Sequence, residues 1–397
     1  MKKHFLLWDN PLQAIYTMMC VLILIGGINV LSASFVSAHD MFNDGLYYLK
    51  RYFFIAILGF IGIAFIRKIG YKVLLNQKNL FFYCAVVFCM LVAVDVTGVA
   101  TKGATRWLYF GPISIQPSEI AKLVLIMLAA RYLGYAMNRN LPVRLHYGAG
   151  MRVTICTLVA AGLVLKQPDL GTAAIIVALI MGMFIIAGLP AKQIAGIIIL
   201  GVISAVVLSC TYAYRLERVK VWFDPWRDPQ GMGYQMVQSL LAIGSGGLYG
   251  TNWGHGIGKF FYLPEAHTDF AFAIFCQENG LIGALLIVLS FVIMSAAFCR
   301  ITMMARDQRG FLLAAGITFL IIGQAFANMA MVCGILPVIG VPLIFISYGG
   351  TSMLISMCAI GLLLSVYDEE EKRRQEEEVS PEQRREDLRV VNGRRQQ

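Results

Sequence analysis

Two carboxylates and a histidine lie close together in the run LPEAHTDF, which directly precedes a long apolar segment. Carboxylate and imidazole side chains are common general bases in enzymes, so Glu265, His267 and Asp269 are candidates for that role. An ordinary structural explanation competes, in which Thr268 caps a helix and Asp269 stabilises the positive end of its dipole. The spacing of these residues leaves both interpretations open.

Positively charged side chains that could hold a phosphate occur in the runs KGATRW and QPSEIAK. The guanidinium of Arg106 can bind a phosphate through two parallel hydrogen bonds, or it can anchor its loop to lipid headgroups. Lys122 is expected about one turn inside the bilayer, three residues after Glu119 on the same helix face. Because a lysine at that depth is costly, it either pairs with Glu119 or faces a phosphate.

Three further motifs contain candidate site residues. Asp169 lies in KQPDLGT, where an acid near the start of a helix is also a common structural feature. Glu278 lies inside an apolar segment, and ionisable residues at membrane depth are candidates for a functional site. Ser347 and Gly349 belong to a run rich in proline and glycine at residues 334–352. Such a run predicts broken helices that line a cavity, and close helix packing through small residues is the competing explanation.

The composition indicates the class of protein that must position these residues. The chain has 397 residues, of which 58% are hydrophobic and 14% charged, whereas soluble domains carry about 25% charged residues. Of its 23 Asp and Glu residues, 10 follow residue 367, so 13 remain in the apolar portion. We therefore predict an all-α polytopic membrane protein in which these few acids are the informative residues. The net charge of +10 comes from Lys and Arg that flank apolar segments, so a nucleic-acid partner is not expected.

Ten apolar segments are long enough to cross a bilayer, which takes about 20 helical residues. They lie near residues 13–34, 52–67, 80–98, 118–137, 151–166, 171–189, 192–213, 269–299, 311–333 and 345–367. The eighth is long enough to tilt or kink. We predict a membrane domain of ten transmembrane helices at 1–367, with a large extracytoplasmic loop at 214–268 between helices 7 and 8. The charged tail at 368–397 is expected to be solvated, as a helix or, by preference, disordered.

The distribution of basic residues predicts how the chain is oriented. With ten spans, one side of the membrane carries the tail and most of the Lys and Arg residues in short loops, namely Lys2, Lys3, Arg67, Lys68, Lys72, Lys78, Arg139, Arg144, Lys192, Arg300, Arg306 and Arg309. Because the side richer in basic residues is cytoplasmic, we expect both termini in the cytoplasm and Asp269 outside.

Cofactor motifs do not stand out in the sequence. None of the nine cysteines forms a C-x-x-C pair, so neither a disulfide framework nor a zinc site is indicated. A glycine-rich loop followed by Gly-Lys-Ser/Thr, which would bind nucleotide phosphates, is also lacking. The sequence therefore indicates no particular cofactor, and a requirement for a divalent cation stays an open alternative.

Taken together, the motifs resemble those of the SEDS family (shape, elongation, division and sporulation), the FtsW, RodA and SpoVE proteins of bacteria. The match follows the family's order from Lys102 to Thr351 and comprises KGATRW, QPSEIAK, KQPDLGT, DPWRDPQGMGYQ, QSLLAIGSGGLYG, LPEAHTDF and the ILPVIGVPL–SYGG run. The DPW…GYQ form and the 12 residues between Gly250 and Leu263 are more similar to FtsW and SpoVE than to RodA.

The resemblance implies ten spans in the bacterial cytoplasmic membrane and polymerisation of lipid II into peptidoglycan strands at its outer face, in cell division. The family's essential aspartate corresponds to Asp269, which would act as base, tuned by Glu265 and His267. Arg106, Lys122 and Lys259 would compensate the charge of the departing undecaprenyl pyrophosphate. The implied partners are a class B penicillin-binding protein, which is a transpeptidase, and other proteins of the division machinery.

Two other classes of function compete with the polymerase. A lipid II flippase would use a cavity built from broken helices, but its ionisable residues should then approach the midplane from both sides. A non-catalytic scaffold of the division machinery would instead depend on its tail or on a helix face that recruits partners. Changing a residue of the outer loop would then have little effect.

Overall fold

The structure is a computed structural model that describes residues 10–97, 106–111, 113–199, 201, 217, 220–256, 258 and 263–394. Its first half contains α1 (Pro11–Phe42), α2 (Tyr47–Ile69), the single turn α3 (Tyr71–Leu74), α4 (Gln77–Thr97), β1 (Leu108–Phe110), β2 (Ile113–Ile115), α5 (Pro117–Asn138), α6 (Gly148–Lys166) and α7 (Leu170–Ile186). Its second half contains α8 (Tyr234–Gly246), α9 (Ala271–Met304), α10 (Gln308–Thr318), a π turn (Phe319–Gly323), α11 (Gln324–Val332) and α12 (Gly350–Arg394).

The predicted all-α polytopic membrane class is confirmed, with one small β-hairpin added. Within the described residues, eight helices are long and apolar enough to cross a membrane, and α7 is a shorter apolar helix. Nine of the ten predicted segments coincide with helices. The seventh, 192–213, lies mostly outside the described residues, of which 191–199 are helical. The two ends of the bundle are called the Asp269 end and the Asp368 end below.

The prediction for the tenth segment needs a correction at its start. Residues 333–349, called the unwound segment below, are not helical, and α12 begins only at Gly350. The backbone of the unwound segment is buried at Val341 and from Leu343 to Ser347. Inside a membrane protein, such backbone must find its hydrogen-bond partners within the fold, because lipid supplies none.

Side chains from three neighbouring helices supply those partners. The Tyr52 hydroxyl donates to the carbonyl of Phe345, and the Asn29 amide donates to the carbonyls of Ala271 (3.0 Å) and Ile346 (3.4 Å). The Gln324 amide donates to the carbonyl of Pro342 at 3.4 Å, and that of Asn328 to the carbonyl of Val341 at 2.6 Å. Of these four donors, Asn29 belongs to α1 and Tyr52 to α2. Gln324 and Asn328 both belong to α11.

Close approach of α1 to the unwound segment depends on one glycine. A Cβ atom at Gly26 would overlap the carbonyl oxygen of Phe345, so only glycine lets the two backbones come this near. Small residues play the same part at many helix contacts in membranes.

The eighth segment is expected to tilt or kink, and the structure has a kink at Gly280 in α9, where φ is 63° and ψ is −166°. The helical bond between the Gln277 carbonyl and the Leu281 amide is replaced on both sides. Thr251 N donates to Gln277 O at 3.0 Å, and Leu281 N donates to Gly247 O at 2.9 Å. The loop after α8 therefore fills the break and leaves those backbone groups bonded.

The tail departs from the predicted disorder, because α12 continues without interruption to Arg394. The first turns beyond the apolar portion pair with loops at the Asp368 end. Arg67 donates two hydrogen bonds to Asp368, at 2.8 and 2.7 Å, and Lys72 pairs with Glu369. Charged residues of the tail, which the sequence suggests are solvated, thus form contacts between α12 and both the end of α2 and α3.

We expect Tyr52→Phe to lower the stability of the bundle by about 1–3 kcal/mol, because it leaves the buried carbonyl of Phe345 without its hydroxyl donor. Thermal unfolding of the detergent-solubilised protein measures this loss. Tyr147→Phe is the matched control, since Tyr147 is mostly exposed. Equal unfolding temperatures for the two variants would contradict the assigned role of Tyr52.

Candidate active site

Asp269 lies in the turn directly before α9, at the end of the bundle named after it. The backbone carbonyl of Asp269 accepts a hydrogen bond of 2.8 Å from the Asn328 amide, whose other bond goes to Val341 of the unwound segment. A Cβ atom at Gly340 would lie 3.6 Å from Asp269 Oδ2. The unwound segment thus passes directly beside the Asp269 carboxylate.

Arg106 reaches the same place. The same Cβ position at Gly340 lies 3.9 Å from Arg106 Nη1. Arg106 precedes the β1–β2 hairpin, in which Leu108 pairs with Ile115. Thr351 secures the hairpin to the start of α12, because its hydroxyl donates to Ser114 O and accepts from Gln116 N, both at 3.2 Å. The hairpin is therefore the element that positions Arg106.

Asp169 orients the guanidinium of Arg106. Its Oδ2 atom lies 3.5 Å from Arg106 Nε, and Arg106 Nη2 donates to Pro168 O at 2.9 Å. Asp169 also caps α7, accepting from Thr172 N at 3.1 Å and from Thr172 Oγ1 at 2.9 Å. The interpretation of this acid as a helix-start residue is thus confirmed, and the structure adds the contact with Arg106.

The predicted pair of Glu119 and Lys122 is confirmed inside the bundle. Lys122 Nζ donates to Glu119 Oε1 and to Gln324 Oε1, both at 2.8 Å. Lys122 is fully buried. Gln324 lies one helical turn from Asn328 on α11, so the enclosed ammonium group is bonded to the same helix face that holds the Asp269 turn. In this conformation the structure favours the ion pair within the fold over a phosphate-facing group.

Glu265 and His267 lie on the side of Asp269 that faces α2. The imidazole of His267 is 4.8 Å from the ring of Tyr48, and its backbone carbonyl accepts from Tyr348 N at 2.9 Å. Thr268 Oγ1 donates to Glu265 Oε2 at 2.9 Å. The expectation that Thr268 caps α9 is wrong: the cap position is Phe270, which makes no side-chain cap bond.

Glu278 belongs to a different part of the fold. Its Oε1 atom accepts from Ser32 Oγ at 2.7 Å and from Gly254 N at 3.2 Å, and the side chain is buried. Nine residues separate it from Asp269, which is about 13 Å along a helix. The structure therefore places Glu278 where the loop after α8 meets the kink of α9.

Ser347 and Gly349 shape the unwound segment. Ser347 Oγ accepts from Leu343 N at 3.0 Å and closes a turn. A Cβ atom at Gly349 would lie 3.0 Å from the Pro342 ring, so glycine allows this close contact. Lys259, the remaining candidate, lies outside the described residues.

Sequence reasoning missed Gln324 and Asn328, which connect the parts of the site. Both are buried, and they lie four residues apart on one face of α11. The sequence does contain a signal for them: two amide side chains lie four residues apart in an apolar span, and a buried amide needs hydrogen-bond partners. The π turn immediately before Gln324 is a further mark, since π turns in α-helices are frequent at functional sites.

The geometry defines what this site can do chemically. A carboxylate and a guanidinium face the same space beside Gly340, so one can accept a proton while the other holds an anionic group. Within the part of the chain that the structure describes, no three His, Cys, Asp or Glu side chains converge as metal ligands would. The candidate site is therefore built around Asp269 and Arg106.

The chain is similar in sequence to a family of known proteins. The sequence model of a family described as "Cell cycle protein", comprising FtsW, RodA and SpoVE, matches residues 12–372. A probable peptidoglycan glycosyltransferase FtsW from Geobacter sp. (strain M18) is 37% identical over 88% of this chain and 94% of its own length. The stage V sporulation protein E of Bacillus subtilis (strain 168) is 35% identical over 87% of this chain and 94% of its own.

Solved structures share the fold. A chain of a peptidoglycan synthase complex that coordinates polymerization and crosslinking matches with a TM-score of 0.75 at 24% identity, covering 89% of this chain and 97% of its own. The rod shape determining protein RodA of Thermus thermophilus matches with a TM-score of 0.61 at 22% identity, covering 90% and 96%.

The fold and these matches define a multi-pass membrane protein of the cell-cycle class. The chain belongs to the family of FtsW, RodA and SpoVE, and it is close to FtsW. The resemblance drawn from its motifs is thereby confirmed.

We expect Asn328→Ala to loosen the turn that carries Asp269, because the variant loses the bonds to the Asp269 and Val341 carbonyls. Hydrogen–deuterium exchange of residues 263–270 should become faster. The matched control is Asn279→Ala, since the Asn279 amide donates to the Phe275 carbonyl within its own helix. Unchanged exchange at 263–270 in Asn328→Ala would show that Asn328 does not hold this turn.

Proposed function

We propose that this protein is a peptidoglycan glycosyltransferase that polymerises lipid II into glycan strands during cell division. The observation that carries the proposal is the placement of Asp269 Oδ2 and Arg106 Nη1 around the same point beside Gly340. The activity agrees with relatives at 36–37% identity that are named probable peptidoglycan glycosyltransferase FtsW.

The reaction needs a base and a group that stabilises the leaving anion. The 4-hydroxyl of an acceptor sugar attacks the anomeric carbon of the donor, a C–O bond forms, and the bond from that carbon to the pyrophosphate breaks with inversion. Asp269 takes the hydroxyl proton, and Arg106 compensates the charge of the undecaprenyl pyrophosphate that leaves. A positioned base typically contributes 10²–10⁴-fold to such a rate.

The other candidates have supporting roles in this proposal. Asp169 positions Arg106, and the buried Glu119–Lys122 pair holds Gln324 and with it the unwound segment. Glu265 and His267 shape the side of the site towards α2, while Lys259 stays a candidate for the diphosphate. Ser347 and Gly349 shape the unwound segment, and Glu278 secures the loop after α8.

The same proposal fixes the orientation in the bacterial cytoplasmic membrane. The Asp368 end carries most of the basic residues of the short loops, which supports a cytoplasmic position for that end and for both termini. The Asp269 end then lies at the outer face, where glycan strands are needed. Residues 1–367 act as the membrane domain and 368–397 as its cytoplasmic extension.

A transpeptidase partner is part of the proposal. The similar chain of known structure belongs to a peptidoglycan synthase complex that couples polymerization with crosslinking. We infer a class B penicillin-binding protein as the partner here, because new strands must be crosslinked where they emerge. Other proteins of the division machinery would recruit both.

The flippase and scaffold hypotheses give different results with purified protein. A polymerase makes glycan chains from lipid II in detergent, where no sealed membrane exists, whereas a flippase or a scaffold does not. The assay is run with and without the cognate transpeptidase, and with and without a chelator, because the sequence leaves a divalent cation open.

We expect Asp269→Asn to reduce lipid II polymerisation by at least about 10²-fold, because the amide cannot accept the hydroxyl proton. Gel analysis of glycan chains made by the purified protein measures this, and thermal unfolding verifies the fold. The matched control is Asp44→Asn at the same end. Its carboxylate pairs with the exposed Lys50 at 2.7 Å, and that hydrogen bond lowers the pKa of Asp44.

Asp44→Asn should retain activity. Wild-type polymerisation by a folded Asp269→Asn protein would remove Asp269 from the mechanism and leave the flippase and scaffold hypotheses standing.

Arg106→Gln should reduce the rate of polymerisation strongly. Arg106→Lys should have a higher rate than Arg106→Gln but a lower one than the wild type, because lysine keeps the positive charge and cannot form two parallel hydrogen bonds. The measurement is the polymerisation rate at saturating lipid II. Lys166→Gln serves as control, since Lys166 is a mostly exposed cation at the same end that pairs with Asp95 at 3.3 Å. If Arg106→Gln and Lys166→Gln lose activity equally, the loss comes from the lower positive charge at this end, and the role assigned to Arg106 is wrong.

A further inference from the structure

Three arginines, one directly after α5, one in α6 and one in α10, contact two tyrosine rings of α5 at the Asp368 end, far from the candidate active site. Tyr132 and Tyr135 lie on one face of the last turns of α5, and Arg139 follows four residues later on that face. Lys122 is 13 residues before Tyr135, which is about 20 Å along the helix. This cluster, called the arginine–tyrosine cluster below, is therefore separate from the Asp269 site.

Ring contacts hold the three guanidinium groups in place. Arg139 Cζ lies 5.7 Å and Arg309 Cζ lies 6.0 Å from the centre of the Tyr135 ring, and Arg152 Cζ lies 5.2 Å from that of Tyr132. Cation–π contacts at this range are attractive. They keep the guanidinium groups near the rings but do not use their N–H donors for hydrogen bonds.

Acidic partners for these arginines do not occur among the residues that the structure describes. Asp307, which precedes Arg309 by two residues, instead accepts from Asn138 Nδ2 at 3.0 Å and from the Tyr71 hydroxyl at 3.4 Å. Arg309 Nε is buried and has no hydrogen-bond partner within the described part of the chain. The cluster thus brings three positive charges together without a direct ion pair in the described part of the chain, although like charges repel.

An apolar stripe continues from the cluster along α6. Ile155 and Val159 follow Arg152 at three and seven residues, so they lie on its face of the helix. Their side chains are 52% and 48% exposed. Tyr135 is exposed as well, and tyrosine is typical of the interface between a bilayer and water. The surface therefore has a cationic head at the interface and an apolar extension into the bilayer.

We propose that the arginine–tyrosine cluster binds the phosphate of one anionic phospholipid, whose acyl chains lie along the exposed stripe of α6. Guanidinium groups match the oxygens of a phosphodiester, and basic pockets between transmembrane helices bind anionic headgroups. The lipid supplies the negative charge that the cluster lacks and connects α5, α6 and α10. The site is independent of the proposed catalytic activity.

Native mass spectrometry of the delipidated full-length protein tests this site, with dioleoyl phosphatidylglycerol, dioleoyl phosphatidylcholine or inorganic phosphate added at equal concentrations. The wild type should retain one phosphatidylglycerol and be stabilised against thermal unfolding by it. Phosphatidylcholine and inorganic phosphate should not reproduce either effect. Equal binding of phosphatidylcholine, or equal stabilisation by inorganic phosphate, would overturn the proposal.

Single substitutions locate the bound lipid. Arg139→Gln, Arg152→Gln and Arg309→Gln should each weaken phosphatidylglycerol binding about fivefold, because each charge near the surface contributes to the attraction. Arg144→Gln is the matched control, with the same charge change at the same end and an exposed side chain outside the cluster. If Arg144→Gln weakens binding as much, the attraction is diffuse and the site is wrong.

Ring variants keep the test valid if an arginine variant fails to fold. Tyr135→Phe retains the aromatic face and should bind phosphatidylglycerol like the wild type. Tyr135→Leu removes the face that orients Arg139 and Arg309, and should weaken binding severalfold. Equal binding by Tyr135→Leu would show that the rings do not organise the site.

Discussion

A polypeptide that leaves the helical conformation inside a membrane must obtain its hydrogen bonds from the rest of the protein. Residues 333–349 meet this constraint through side chains of α1, α2 and α11. Two of these donors have a second acceptor at the start of α9: Asn29 also bonds to Ala271 O, and Asn328 also bonds to Asp269 O. The bonds that satisfy the unwound backbone therefore position the candidate catalytic carboxylate as well.

Lys122 and Arg106, the two described cations that the sequence assigns to a diphosphate, have different surroundings in the structure. Lys122 is enclosed with Glu119 and Gln324, and removing one partner of such a buried pair would leave an uncompensated charge. Arg106 is held from behind by Asp169 and Pro168 while one of its nitrogens points towards Gly340. An arginine can bond in both directions at once because its guanidinium carries five donors. Lys122 therefore supports the fold, whereas Arg106 is placed where the proposed reaction needs a cation.

Much of the fold could be predicted because apolar length and charge are properties of the sequence itself. The helix bounds, the kink in α9 and the Glu119–Lys122 pair depend on local spacing. Local spacing could not show that Asp269 and Arg106 both lie close to Gly340, because 163 positions separate the two side chains along the chain. Nor could it identify Asn328, whose acceptors are backbone carbonyls, which every residue possesses. Nor could it show that the first turns of the tail contact Arg67 and Lys72, which lie far earlier in the chain.

Helix α12 links the two ends of the molecule in one continuous element. The part from Gly350 to Glu377 has 28 residues, which is about 42 Å of α-helix. It begins directly after the unwound segment, and its far part is fixed to Arg67 and Arg306 by ion pairs. A straight helix resists compression along its axis far better than a loop does. A movement of the far part of α12 along the helix axis would therefore be transmitted to the unwound segment beside Asp269, at the opposite end of the bundle.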